Sequence, residues 1–152
     1  MTATNHVLTG ALIATAVHNP WLALPAAFLS HFVVDAIPHF GRTDIKLNSF
    51  YFRSRLLADM IVAALCLLII LLLQPAHVWI ILLCGVLAAS PDLMWLSRFI
   101  AANQHRPAAK LGLIRQFHHK IQWFEHPIGA SVEVAWFLAM LVLLNAQLLI
   151  IR

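Results

Sequence analysis

The sequence predicts an all-α, polytopic membrane helix bundle: one integral domain over residues 1–152 with about five transmembrane helices, the first two forming a short hairpin and an interfacial segment preceding the last. Three observations predict it. The chain is 62% hydrophobic with a mean hydropathy of +0.85, far more apolar and less charged than a soluble domain of this length requires. Apolar runs of about 20 residues, long enough to cross a bilayer, recur along it. Ionisable side chains stand at the mouths of these runs: His6, then His31, Asp35 and His39, then Asp59, Asp92, and finally His118, His119, His126 and Glu133. Such groups are costly in hydrocarbon and face a bundle interior or a polar cavity, so their repeated placement predicts one shared site.

The first two helices are expected over residues 7–17 and 21–37, separated by His18, Asn19 and Pro20. An asparagine followed by a proline suits a helix start, which favours a tight hairpin of two short helices over one long span. Pro25 is placed to kink the second helix. Both segments are near the short limit for spanning, so a re-entrant pair that never crosses is the competing arrangement. No positive residue precedes the first apolar core, as a cleaved signal peptide would require, so the segment is expected to stay in the mature chain. Further spans are expected over residues 56–73, 77–96 and 127–151.

Between the last two, residues 116–127 mix Phe117, Ile121 and Phe124 at helical spacings with Trp123, a residue that favours the interface. That pattern predicts a surface segment lying on the bilayer, its histidines covering the site as a lid. His119, His126 and Glu133 follow at intervals of seven and can share a face unless Pro127 breaks the register. Glu125 is expected to pair with Lys120 or Arg115.

Nine of the ten basic residues lie in stretches 42–55 and 98–120, which places both loops in the cytoplasm. The linkers at His18 and His77 carry no Lys or Arg and would face outward as ordinary interfacial histidines. The N-terminus is then cytoplasmic and the C-terminus external after five crossings. Topology and anionic lipid account for the net charge of +4, so no nucleic-acid partner is expected. There is no glycine-rich nucleotide loop, and Cys66 and Cys84 lie in apolar helices without metal-ligand spacing, as packing residues.

His31, Asp35 and His39 are spaced four apart and can share a helix face if Pro38 distorts only the last turn. Asp59 sits three residues inside an apolar run, and Asp92 follows Ser90-Pro91 before another. Imidazole and carboxylate donors bind zinc, manganese or iron, so the expected metal ligands are His6, His31, Asp35, His39, Asp59 and Asp92, holding one or two divalent ions. The simpler readings are that Asp35 orients or neutralises His31, that His39 merely begins the loop, and that Asp59 and Asp92 form a buried ion pair with Arg55 or Arg98 or hydrogen-bond across helices. An internal echo, His6 with Asp35 and Asp59 with Asp92, suggests two hairpins of like sidedness whose polar ends meet.

A divalent ion lowers the pKa of bound water and polarises a phosphoryl or acyl oxygen, which favours hydrolysis. Glu133 is the expected proton carrier and His118 or His119 a mobile helper, while Arg42, Arg53, Arg55 and Arg115 are candidates to hold a substrate phosphate. The substrate class is a membrane lipid or similar amphiphilic phosphoester, and a homo-oligomer is compatible with the pattern. A proton-coupled or metal-ion carrier and a structural membrane protein are the alternatives. A di-iron lipid oxidoreductase fits less well, since the paired Glu and Glu-x-x-His pattern is missing.

The opening Asn5-His6-Val7-Leu8-Thr9-Gly10 and the later Asp35-Ala36-Ile37-Pro38-His39 resemble the small bacterial inner-membrane proteins described as YdjM-like membrane-bound metal-dependent hydrolases. The resemblance is carried by the first 40 residues. It implies a site drawing on His6, Asp35 and His39 and a location in the bacterial inner membrane, with His118-His119 loosely in the place of the family's later paired-histidine segment.

Overall fold

The computed structural model describes residues 1–41, 46–107 and 112–150, and every regular element among them is helical. The helices are α1 (Ala3–Ala16), α2 (Pro20–Asp35), α3 (Phe50–Leu73), α4 (Val78–Ala89), α5 (Leu96–Asn103), α6 (Leu113–Ile121) and α7 (Gly129–Ile150), with a 3₁₀ turn over Ser90–Trp95 joining α4 to α5.

α1 is the hub. It packs against α2, α3, α4 and α7, and its residues from Thr4 to Ala11 are buried in an unbroken run. Small side chains make this possible. A Cβ on Gly10 would collide with the Cys84 carbonyl and the Ala88 side chain, and one on Gly85 would press on the Val7 carbonyl at 3.2 Å, so the α1–α4 crossing depends on glycine from both sides. Leu8, Ala11 and Ala14 of α1 meet Ile81, Cys84 and Ala88 of α4 in the apolar core, which α2, α3 and α7 complete with Ala27, Ile70 and Met140. Cys84 is fully buried and unbridged, a packing residue.

Helix ends follow local chemistry. α1 begins four residues earlier than the apolar pattern suggests because Asp59 of α3 receives the Ala3 and Thr4 amides at 2.7 and 3.1 Å, allowing the helix to extend into polar sequence. α2 opens on Asn19, whose side chain accepts from the Trp21 amide at 3.0 Å, with Pro20 in the first turn. It ends at Asp35 rather than residue 37, since the residue before Pro38 is disfavoured from the α region. α3 starts at Phe50, capped by Ser49, whose hydroxyl accepts from the Phe52 amide at 3.1 Å. The expected span at 77–96 continues to Asn103, its path tightened into a 3₁₀ turn where Pro91 offers no N–H.

Three helices are long and apolar enough to cross a membrane: Phe50–Leu73, the continuous Val78–Asn103, and Gly129–Ile150. α2 is apolar but shorter, about 24 Å for its 16 residues, and α1 at 14 residues is shorter still. The outer face of α3 exposes Leu57, Met60, Ile61, Leu65, Ile69 and Leu72. A continuous apolar face of this kind suits lipid, not water.

α6 lies outside this core. It begins at Leu113, before the expected segment at 116, and presents Leu113, Ile114 and Phe117 outward while burying His118. After it the chain runs extended beside the loop that follows α2. The His39 amide donates to the Phe124 carbonyl at 3.3 Å, the His126 amide to the His39 carbonyl at 3.2 Å, and the Trp123 indole to the Ala36 carbonyl at 2.9 Å. Gly129 then lies so close to the His39 backbone that no side chain would fit.

Candidate metal centre

The hairpins α1–α2 and α3–α4 put the mouths of their helices at one end of the bundle, and there four side chains converge. His31 and Asp35 come from adjacent turns of α2, Asp92 from the 3₁₀ turn and His118 from α6. One donor atom from each lies within 4.8 Å of all the others. His31 Nε2 is 3.2 Å from Asp35 Oδ2, 3.0 Å from His118 Nε2 and 3.8 Å from Asp92 Oδ1, and His118 Nε2 is 2.8 Å from Asp35 Oδ2. Donors around a tetrahedral ion with bonds of about 2.0–2.1 Å stand about 3.3 Å apart; the His31, Asp35 and His118 atoms are at or just inside that spacing, in hydrogen-bond contact, and Asp92 lies farther out. This buried group can hold a metal ion. His31, Asp35 and His118 are sealed from solvent, while Asp92 is 37% exposed and leaves an open side.

Neighbouring groups decide which nitrogen carries each proton. A carbonyl only accepts, so His31 Nδ1, 2.9 Å from the Ala88 carbonyl, bears the hydrogen and a neutral His31 presents the lone pair of Nε2 to the cluster. An indole N–H only donates, so His118 Nδ1, 3.2 Å from Trp95 Nε1, is an acceptor, and neutral His118 carries its proton on Nε2 toward Asp35. The pairing of His31 Nε2 with Asp35 Oδ2 therefore sets two acceptors 3.2 Å apart in a buried site. The Nε2–H of His118 stands 2.8 Å from that oxygen and 3.0 Å from His31 Nε2, so a shared N–H, a proton on His31 or a metal cation in place of that proton makes the approach favourable.

Asp35 is the hub of the polar network. Oδ2 also accepts from Gln122 Nε2 at 2.9 Å, and Oδ1 accepts from His6 Nε2 at 3.1 Å and from the Met1 amino group. His6 stacks on His31 with ring centroids 4.1 Å apart, and its Nδ1 is buried with no hydrogen-bond partner among the described residues. Its contact with the cluster is through the carboxylate, outside the four-donor group.

Of the expected ligands, the structure gathers His31, Asp35 and Asp92, and adds His118, which the sequence suggested only as a helper. Asp59 stands elsewhere: its carboxylate receives the Ala3 and Thr4 amides and the Thr4 hydroxyl, the last at 2.6 Å, and makes no ion pair with Arg55 among the described residues. The unpaired amides of a helix start outcompete a distant cluster for that charge. His39 points its Nδ1–H at the Ile37 carbonyl at 2.8 Å and its Nε2 toward Glu125 at 3.7 Å. Among the described residues Glu125 thus pairs with His39, not with Lys120 or Arg115, and this contact holds its carboxyl below the usual glutamate range. Asp92 pairs with no Arg98 among the described residues, because the guanidinium lies over the Trp95 ring at 5.5 Å.

His119 is exposed on α6, against the edge of Trp95 with centroids 6.3 Å apart, and His126 accepts the Ile128 amide at 3.3 Å, so His119, His126 and Glu133 do not form one face. His18 and His77 are exposed at the opposite helix ends. Arg53 is exposed on α3, Arg115 is half-buried on α6, and Arg42 lies outside the described residues. Arg55 and Glu133 line a separate cavity of about 340 Å³. Gln122 and Trp95 were not singled out in the sequence. A tryptophan beside the Ser-Pro-Asp break was the one available signal for the second.

Comparison with known proteins finds no matching family model, no similar described protein and no similar solved structure.

Proposed function

We propose that this chain is a membrane-embedded, metal-dependent hydrolase of the YdjM-like kind, acting at the cytoplasmic leaflet of a bacterial inner membrane on a phosphorylated lipid or similar amphiphilic phosphoester. The observation that carries the reading is the buried convergence of His31 Nε2, Asp35 Oδ2 and His118 Nε2, at 2.8 to 3.2 Å from one another, with the part-open Asp92 completing a donor set. Two nitrogens and two carboxylates suit zinc, manganese or iron. When bound, such an ion polarises a phosphoryl oxygen and makes its water more acidic. The chain's own part is to fix the donors: the Ala88 carbonyl orients His31, Gln122 and His6 hold Asp35, and Asp92 faces the open side where substrate enters. The cluster end of the bundle also carries Arg53, Arg55, Arg98 and Arg115, which supports its placement, and that of the N-terminus, toward the cytoplasm.

Metal content of the protein purified in detergent tests this. About one equivalent of zinc, manganese or iron is expected, lost in a folded double variant Asp35→Asn, Asp92→Asn, and the metal-loaded protein should cleave a lipid phosphoester that the variant does not. The second reading, a proton-coupled carrier, draws on the same convergence, because a proton on His31 Nε2 satisfies it equally well. A chain that stays metal-free after incubation with all three ions selects that reading.

A further inference from the structure

The cavity beside the cluster is walled by the first three turns of α3, the N-terminal Met1 and Thr2, the loop after α2, Glu125 and the start of α7. Met1 lines it and also touches Asp35, so cavity and cluster are separated by a single residue. Three carboxylates reach its wall, and their partners distinguish them. Asp59 is committed to the α1 amides and Glu125 to His39. Glu133 is only 9% exposed and its carboxylate has no hydrogen bond or ion pair among the described residues. On the same wall Arg55 rests its guanidinium over the Phe40 ring at 3.9 Å and makes no ion pair among the described residues.

A carboxylate and a guanidinium thus share one cavity without an ion pair among the described residues, although the charges of the Met1 ammonium, His39 and Arg55 all reach Glu133. A ligand that bridges them carries an anionic group for Arg55 and an N–H cation for Glu133. Phe52 and Leu56 line the same wall, while Phe50 and Leu57 of the same helix are 81% and 60% exposed at the start of a membrane-spanning candidate. The apolar remainder of the ligand therefore has lipid to continue into.

We infer that this cavity binds the head group of a zwitterionic phospholipid bearing a primary amine, phosphate on Arg55 and ammonium on Glu133. Its role as substrate of the adjoining centre rests on the hydrolase reading above, whereas the binding stands on the cavity alone. The full chain in detergent, titrated by native mass spectrometry with phosphatidylethanolamine and with phosphatidylglycerol of identical acyl chains, tests it. The amine lipid should bind about ten-fold tighter, the worth of one sheltered charge-assisted hydrogen bond. Glu133→Gln should abolish that preference, and Arg55→Met, at the exposed rim, should weaken both lipids together.

Equal binding of the two lipids overturns the inference, as does a preference that survives Glu133→Gln. If that variant does not fold, Arg55→Met decides, and undiminished lipid binding there overturns the inference. Soluble phosphoethanolamine should fail to displace the lipid at millimolar concentration; displacement at concentrations comparable with the lipid would assign a free zwitterion and overturn the lipid source. Zinc measured on the same samples separates the two proposals. A native chain with zinc but no lipid preference defeats this inference alone, and one with the preference but no metal defeats the hydrolase reading alone.

Discussion

Replacing Trp95 by phenylalanine is expected to tighten zinc binding, the reverse of what truncation beside a metal site ordinarily does. The indole N–H donates to His118 Nδ1 at 3.2 Å and so fixes the tautomer with its proton on Nε2, the nitrogen that faces the cluster. To ligate through Nε2, neutral His118 must move that proton to Nδ1, where it would confront the indole N–H and cost the hydrogen bond. One such bond is worth about 1 kcal/mol net, so its removal should lower the zinc Kd about five-fold. Phenylalanine retains much of the ring contact, in which the Trp95 and His118 centroids lie 5.8 Å apart. Zinc competition against a chromophoric chelator in detergent reads the change. In a His118→Ala background the same substitution should do nothing, which makes a double-mutant cycle the control. Unchanged or weaker binding in a folded Trp95→Phe protein refutes the argument and removes His118 from the ligands.

Asp59→Ala should lower the thermal midpoint, reflecting a loss of about 2 kcal/mol at the α1 cap, while zinc stoichiometry stays at the native value; loss of metal from a folded variant would return Asp59 to the ligand set. Glu125 has its carboxyl pKa depressed by His39, so its contribution to stability is fully present above the ordinary glutamate value and lost as pH falls through the depressed one. Denaturation midpoints of the native chain and Glu125→Gln should therefore differ at pH 6 and converge toward acid, and a gap that widens on acidification would contradict the assignment.

The helical membrane class was legible because composition and run length are summed properties that tertiary detail barely alters. Of the site, the α2 pair His31 and Asp35 was legible for a local reason, since the spacing alone puts both on one helix face. Asp59 was misleading for a non-local one. Nothing in its own segment records that the start of α1 arrives beside it with unpaired amides. His118 was undervalued because its neighbour His119 is chemically identical; only the packing of α6 buries the first and exposes the second. Sequence periodicity names the face of a helix, but which helix covers that face is decided elsewhere in the chain.

Two prolines explain why the cluster lies where it does. Pro38 ends α2 so that Asp35 stands at its last turn, free to accept from α6 and from the stretch that follows it instead of being enclosed within a longer span. Pro91 acts on the facing helix. It stands in the 3₁₀ turn directly after α4, and the Ala88 carbonyl at the end of that helix takes the His31 Nδ1 proton at 2.9 Å. The 3₁₀ path it begins also swings Asp92 to within 3.8 Å of His31 and places Trp95 on His118. The break in helix geometry is therefore what converts a row of buried polar residues into a directed set of donors.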